Sequence, residues 1–259
     1  MPVQLAHLLI GDRSKPALVL SSSLGTTRAM WRAQRALGAS WSLLLYDHRG
    51  HGASPVPAGP YTIDEMGADL LLLLDRLGIA SASFCGLSLG GMIGLWLAAH
   101  HPARVDRLVV MCALPRLEPP SRYAERAAAV RGGGIEPIAE GVVSRWFTEG
   151  FARRRPAVVR TYRETLAGMS AEGYASCCDA LASCDLRGAV ACIGAPTLVL
   201  AGAEDPFVPP PSAVTFGASL RDARVAVVPD AAHLVNVEQP DLVNRLVREH
   251  LSDGFGGQS

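Results

Sequence analysis

The segment Gly86-Leu87-Ser88-Leu89-Gly90 sets a hydroxyl between two glycines, between an apolar run at 81–85 and a helical stretch that opens with Gly90, Gly91 and Gly94. A strand-to-helix turn that sharp forces Ser88 into a strained backbone conformation with its side chain exposed. Side chains two positions before or after it would collide. A serine so placed is a nucleophile only beside a base, because its hydroxyl is barely ionised at neutral pH. A glycine-rich turn with no chemistry is the plain alternative.

Seven histidines compete for the role of base. His7 lies near the N-terminus, His250 in the last helical stretch, and His100 and His101 end a helix, where a cation suits the dipole. His48 and His51 fall in Asp47-His48-Arg49-Gly50-His51-Gly52, a turn in which holding loop structure is the plain role. His233 follows the last apolar run, 224–228, in Pro229-Asp230-Ala231-Ala232-His233-Leu234, which puts it at the same sheet edge as Ser88. The acid that fixes the imidazole tautomer belongs at that edge too. Ala201-Gly202-Ala203-Glu204-Asp205-Pro206 follows the run 197–201, with Asp205 the choice and Glu204 the neighbouring alternative; Met111-Cys112-Ala113-Leu114-Pro115 has no carboxylate. Two backbone N–H groups would complete an oxyanion hole. One is that of Leu89, just after the nucleophile at a helix N-terminus, and the other that of Leu24 in Ser21-Ser22-Ser23-Leu24-Gly25.

The elements that must position these groups alternate. Strands are expected at 17–21, 41–46, 81–85, 105–112, 197–201 and 224–228, with helices at 27–37, from the capping box Thr62/Glu65 to near Gly78, at 88–100, and after Pro240. This rhythm predicts an α/β fold, a mostly parallel sheet with helices on both faces. Between Pro115 and Arg187 the strands stop. Four helical stretches, near 121–131, 135–147, 156–169 and 171–184, are separated by Gly132-Gly133-Gly134, a turn at 150–155 and the region of Ser170. The expected organisation is a core of residues 1–114 and 188–259, with residues 115–187 as a helical cap over the strand ends where ligands bind. The tail 254–259 is expected to fray.

Composition narrows the classes. Among 259 residues, 24 basic side chains balance 24 acidic ones and 49% are hydrophobic, which excludes disorder and any whole-chain basic footprint for nucleic acid. The start, Met1-Pro2-Val3-Gln4, lacks the marks of a signal peptide, and the run Leu70 to Leu74 is too short to span a bilayer. A cytoplasmic protein without a membrane partner is expected. Six cysteines match neither a disulfide framework nor a C-x-x-C pair, and the adjacent Cys177 and Cys178 lack metal-ligand spacing.

With these residues in hand, the chain resembles the α/β-hydrolase superfamily over nearly all its length, including the order Ser, Asp, His. Within it the chain is similar to the 3-oxoadipate enol-lactonases. The resemblance is carried by Ser23-Leu24-Gly25-Thr26, Tyr46-Asp47-His48-Arg49-Gly50-His51-Gly52, Gly59-Pro60-Tyr61-Thr62-Ile63 and Gly86-Leu87-Ser88-Leu89-Gly90-Gly91-Met92. In the helical region Arg145-Trp146-Phe147-Thr148 and Glu172-Gly173-Tyr174-Ala175-Ser176-Cys177-Cys178 match, and later Ala201 to Asp205 and Ala232 to Pro240. Two departures stand out: Ser22-Ser23 replaces the common His-Gly pair, and the N-terminal hairpin is short.

The resemblance implies hydrolysis of the enol-lactone of 3-oxoadipate, a step in bacterial catabolism of aromatic compounds, with no metal or organic cofactor. The partner is a small lactone or ester; oligomeric state stays open. Because such a substrate carries a free carboxylate, a cationic anchor is expected. Arg145 is the candidate, with a solvated surface arginine the equal alternative, and Trp146 is expected to wall the pocket. The rival activities are a carboxylesterase or a C–C hydrolase on the same scaffold. A non-catalytic binding protein of this fold would usually have lost one of Ser88, Asp205 and His233.

Overall fold

The computed structural model describes residues 1–252. Seven strands among these residues form one sheet: β1 (His7–Ile10), β2 (Ala17–Ser21), β3 (Ser42–Tyr46), β4 (Ala82–Leu87), β5 (Val105–Met111), β6 (Thr197–Gly202) and β7 (Ala223–Val228). Their order is β1-β3-β2-β4-β5-β6-β7, with β1 antiparallel to β3 and every other pair parallel. β3, β4 and β6 are buried along their whole length. That is why they read as continuous apolar runs such as Leu43-Leu44-Leu45 rather than as alternating ones.

The topology makes the site. The chain leaves β2 for β3 on one side and returns to β4 on the other, so strand order reverses between β2 and β4. The loops leaving neighbouring strands at such a point part and open a crevice. Pairing of Ser21 with Gly86 brings the loop after β2 beside the turn after β4.

α1 (Ile63–Arg76) starts at the expected capping box: Thr62 Oγ1 accepts from Glu65 N (3.2 Å) and Glu65 Oε2 from Thr62 N (3.1 Å). α2 (Leu89–His100) is buried from Leu89 to Ala98, as a helix pressed between sheet and neighbours must be. Between β5 and β6 lie α3 (Ser121–Gly133), α4 (Glu136–Val143), α5 (Glu149–Arg154), α6 (Pro156–Ala167) and α7 (Ala171–Ser183). The ends of the insertion meet, with Leu186 N donating to Pro115 O at 2.8 Å. α8 (Pro210–Ser219), α9 (Val235–Glu238) and α10 (Pro240–Ser252) complete the described chain.

Several expectations change. The insertion holds five helices, not four. The stretch at 150–155 is α5 rather than a turn, because Thr148 Oγ1 accepts from Phe151 N (3.1 Å) and caps it. The helix expected at 135–147 stops at Val143, where the chain turns inward. Residues 27–37 form two 3₁₀ helices, Arg28–Trp31 and Ala33–Ala39, instead of one α-helix. Tertiary bonds hold that tighter path: Asp47 Oδ1 accepts from Arg28 N (2.8 Å) and Ser22 Oγ from Trp31 Nε1 (3.1 Å). β1 and α8 were not anticipated. The expected frayed tail at 254–259 lies outside the described residues. Among the described residues no helix is long and apolar enough to cross a membrane.

Candidate active site

Ser88 stands between β4 and α2 with φ 55° and ψ −115°. This is a left-handed conformation that a non-glycine residue adopts only under constraint. The constraint is visible: Ser88 N donates to Met111 O (2.8 Å), and Ser88 O accepts from Met92 N (3.0 Å) to start the helix. A Cβ at Gly86 would lie 2.3 Å from Gly90 O, and one at Gly90 would lie 2.2 Å from Ser21 O. Only glycine fits either position.

His233 lies in the loop after β7, and its Nδ1–H donates to Asp205 Oδ2 at 3.0 Å. The other oxygen of Asp205 accepts from Phe207 N (2.8 Å), and the Phe207 ring packs edge-on to the imidazole with centroids 4.8 Å apart. Asp205 is buried, whereas Glu204 is exposed, which decides between the two acids. Cys112, just beyond β5, sits against the same carboxylate. Burial first, and then the Asp205 charge, hold its thiol well above the usual range, so it stays protonated. Sulfur, oxygen and nitrogen of Cys112, Asp205 and His233 lie within 4.8 Å of one another, a donor set of the kind that could hold a metal ion. In this structure Asp205 and His233 are engaged by their mutual hydrogen bond.

Ser88 and His233 line one small cavity. Ser23, Leu24 and Phe207 complete its floor, and Tyr123, Arg126, Val142, Trp146, Tyr174 and Leu181 supply the side formed by the insertion. Around it the backbone amides fall into two groups. Ser23 N donates to Met30 Sδ (3.3 Å), Gly25 N to His51 Nε2 (2.9 Å) and Gly90 N to Ser22 O (3.0 Å). The amides of Leu24 and Leu89 have no acceptor among the described residues. Those are the two N–H groups the sequence nominates for an oxyanion.

His48 and His51 take the structural role expected of them. Both are buried, and desolvation lowers their pKa, to about 4 for His48 and, with the neighbouring His48 adding to it, to about 3 for His51. As neutral rings they tie loops together: His48 Nε2–H donates to Ser22 O (2.8 Å), while His51 Nε2 accepts from Gly25 N. The loop carrying Leu24 is therefore held from both ends.

Trp146 lines the cavity, but Arg145 does not. Arg145 is exposed. Trp146 N donates to Val143 O (2.9 Å), so the segment is a helical turn. Successive side chains in such an i→i+3 turn point about 120° apart, so an inward Trp146 sends Arg145 outward. The guanidinium facing the cavity belongs to Arg126, which the sequence reading missed. Arg126 Nη1 donates to Tyr174 OH at 3.5 Å and the group lies 5.3 Å from the Tyr123 ring centroid, with no carboxylate in ion-pair range among the described residues. The available signal was the spacing of Tyr123 and Arg126, which share a helix face. It was hidden in a stretch rich in Arg and Ala.

A sheet with this order, a strained serine after its central strand, and a histidine–carboxylate pair beyond its last strands define a class of hydrolytic enzymes. A model of the alpha/beta hydrolase family matches residues 18–246, and the chain belongs to that family. It is 42% identical over 246 residues to 3-oxoadipate enol-lactonase 2 of Acinetobacter baylyi, covering 95% of this chain and 92% of that protein. The crystal structure of the enol-lactonase from Burkholderia xenovorans superposes with a TM-score of 0.94 at 38% identity, covering 96% of each chain. A thermophilic esterase from Thermogutta terrifontis matches with a TM-score of 0.90 at 30% identity, over 95% of this chain and 92% of that one.

Proposed function

We propose that this chain is a serine hydrolase that opens the ring of 3-oxoadipate enol-lactone to 3-oxoadipate, working in the cytoplasm on a small molecule. The observation that carries this reading is Arg126. It faces the same cavity as Ser88 and His233 and has no carboxylate of its own among the described residues, so it suits a small ester that brings one. The resident names of the relatives point the same way.

Ser88 Oγ attacks the lactone carbonyl while His233 takes its proton, with Asp205 holding the imidazole tautomer and stabilising the imidazolium. The N–H groups of Leu89 and Leu24 receive the oxyanion, helped by the N-terminal end of α2. Collapse breaks the ring C–O bond and expels an enolate, which takes the proton carried by His233 and becomes the ketone, leaving His233 neutral. Water, deprotonated by His233, then cleaves the acyl-enzyme and frees the acid and Ser88. Residues 115–187 act as a cap over a core of 1–114 and 188–259, with Trp146 and Arg126 shaping the acyl side of the pocket.

The test is a spectrophotometric assay on freshly generated enol-lactone beside a panel of p-nitrophenyl esters, with Ser88→Ala as control. Preference for the lactone supports the reading. Equal or better turnover of simple esters would favour a carboxylesterase, the second reading, to which the esterase likeness lends weight.

A further inference from the structure

Glu238 ends α9 buried, 8% exposed, with no cation in ion-pair range among the described residues. A lone carboxylate costs several kcal/mol to bury unless donors satisfy it. Here three do, and they come from two different parts of the molecule. Oε1 accepts from Ala232 N (2.7 Å), the residue immediately before His233. Oε2 accepts from both the N–H (3.0 Å) and the hydroxyl (2.8 Å) of Thr148 in the insertion, two residues after the cavity wall Trp146. A second rung runs parallel: Leu234 N, just after His233, donates to Trp146 O at 3.0 Å. Both neighbours of the histidine are thus tied to the segment that walls the cavity.

We propose that Glu238 is a positioning residue that clamps the His233 loop to the Trp146–Thr148 segment, so that the base and the substrate wall keep one fixed relation. A carboxyl with an acceptor on each oxygen can serve all three donors. A glutamine offers one acceptor oxygen and turns an NH₂ group toward an N–H that needs an acceptor. Burial outweighs the bonds from Ala232 and Thr148 and, with the nearby charge of Glu204, leaves the Glu238 pKa above its ordinary value, so those bonds offset only part of the cost of burying the charge. The same three hydrogen bonds that hold the charge therefore hold the geometry. The inference rests on the Ser88–His233 pair proposed above, since the clamp has nothing else to position.

The experiment measures the rate at which a fluorophosphonate inactivates the enzyme, together with thermal melts, in wild type, Glu238→Gln, Thr148→Val, Thr148→Ser and the double variant Glu238→Gln/Thr148→Val. In that step Ser88 Oγ bonds to phosphorus, fluoride leaves and His233 receives the proton, so the rate reports the serine–histidine geometry whatever the natural substrate. All rates are taken well below each melting transition. Glu238→Gln is expected to slow labelling about ten- to a hundredfold, the cost of misplacing a reacting group by about an ångström. Thr148→Val slows it too, Thr148→Ser restores it, and the double variant is little slower than Glu238→Gln alone.

Wild-type labelling rates in folded Glu238→Gln would overturn the clamp while leaving the serine-hydrolase reading intact. If Glu238→Gln does not fold, Thr148→Val decides, and labelling at the wild-type rate in it overturns the clamp. A wild-type enzyme that is not labelled at all ends both readings.

Discussion

The floor and the roof of the cavity are held by different physics. On the floor, Ser88, Asp205 and His233 sit in turns at the carboxyl ends of β4, β6 and β7, whose registers are set by parallel ladders such as Leu200↔Ala226 and, beyond an irregularity between Ala82 and Phe84, Gly86↔Val110. A ladder allows no rotation: shifting it by one residue would flip every side chain to the other face. The roof is made of side chains from α3, α4 and α7 and the turn before α5, each aimed by how its helix is rolled on its neighbours. It meets the floor at points such as Leu234 with Trp146, Glu238 with Thr148, Cys177 with Arg49 O, and the backbone contact of Gly50 with Gly173. On the proposed function the difference teaches a division of labour: the ladder sets the reaction, and the packed helices set what enters.

That division can be broken at either side. The largest effect belongs to the floor. Ser88→Ala is expected to lower kcat by on the order of 10⁴ or more while leaving substrate binding nearly intact, read by steady-state kinetics beside equilibrium binding. On the roof, Arg126→Leu should raise KM for the carboxylate-bearing lactone about ten- to a hundredfold, the worth of a hydrogen bond to a charged group. Turnover of an uncharged p-nitrophenyl ester should stay within about twofold of wild type. Loss on both substrates would show that Arg126 supports the fold rather than the ligand.

Where floor and roof touch, the cost falls on stability. A Cβ at Gly173 would lie 2.4 Å from Gly50 O, backbone against backbone. Gly173→Ala is expected to destabilise the protein by about 1–3 kcal/mol, seen as a lower Tm, because neither chain can yield as a flexible side chain would. The smallest effect sharpens the contrast between neighbours in sequence. Arg145→Ala should change kcat/KM by less than about twofold, since its side chain is exposed while Trp146 beside it lines the cavity.

How much could be read beforehand follows the same line. The inner strands were legible because strands buried on both faces leave unbroken apolar runs bounded by turn residues, and β7, though an edge strand with one buried residue, still reads as a run of Val and Ala. β1 escaped because it is a four-residue edge strand with no buried residue. α8 escaped because it opens on Pro210-Pro211, which reads as loop although proline suits a first helical turn. The segment at 27–37 carries helical periodicity, and only its bonds to Asp47 and Ser22 draw it into 3₁₀ turns. Nothing in the local pattern of 171–184 reveals that Gly173 must meet Gly50.

Local chemistry was enough to nominate Ser88, Asp205 and His233 and the loop holding Leu24, because sharp turns beside strands demand particular residue types within a few positions. Long-range closure decided most of what the roof presents to the cavity. The sequence carries 24 basic residues, and which guanidinium faces Ser88 depends on how α3 rolls against α7. The inward turn of Trp146 and the buried charge of Glu238 likewise exist only once two distant segments have met. Side-chain direction on a helix is set by its partner's surface, and that partner is absent from any short window of sequence.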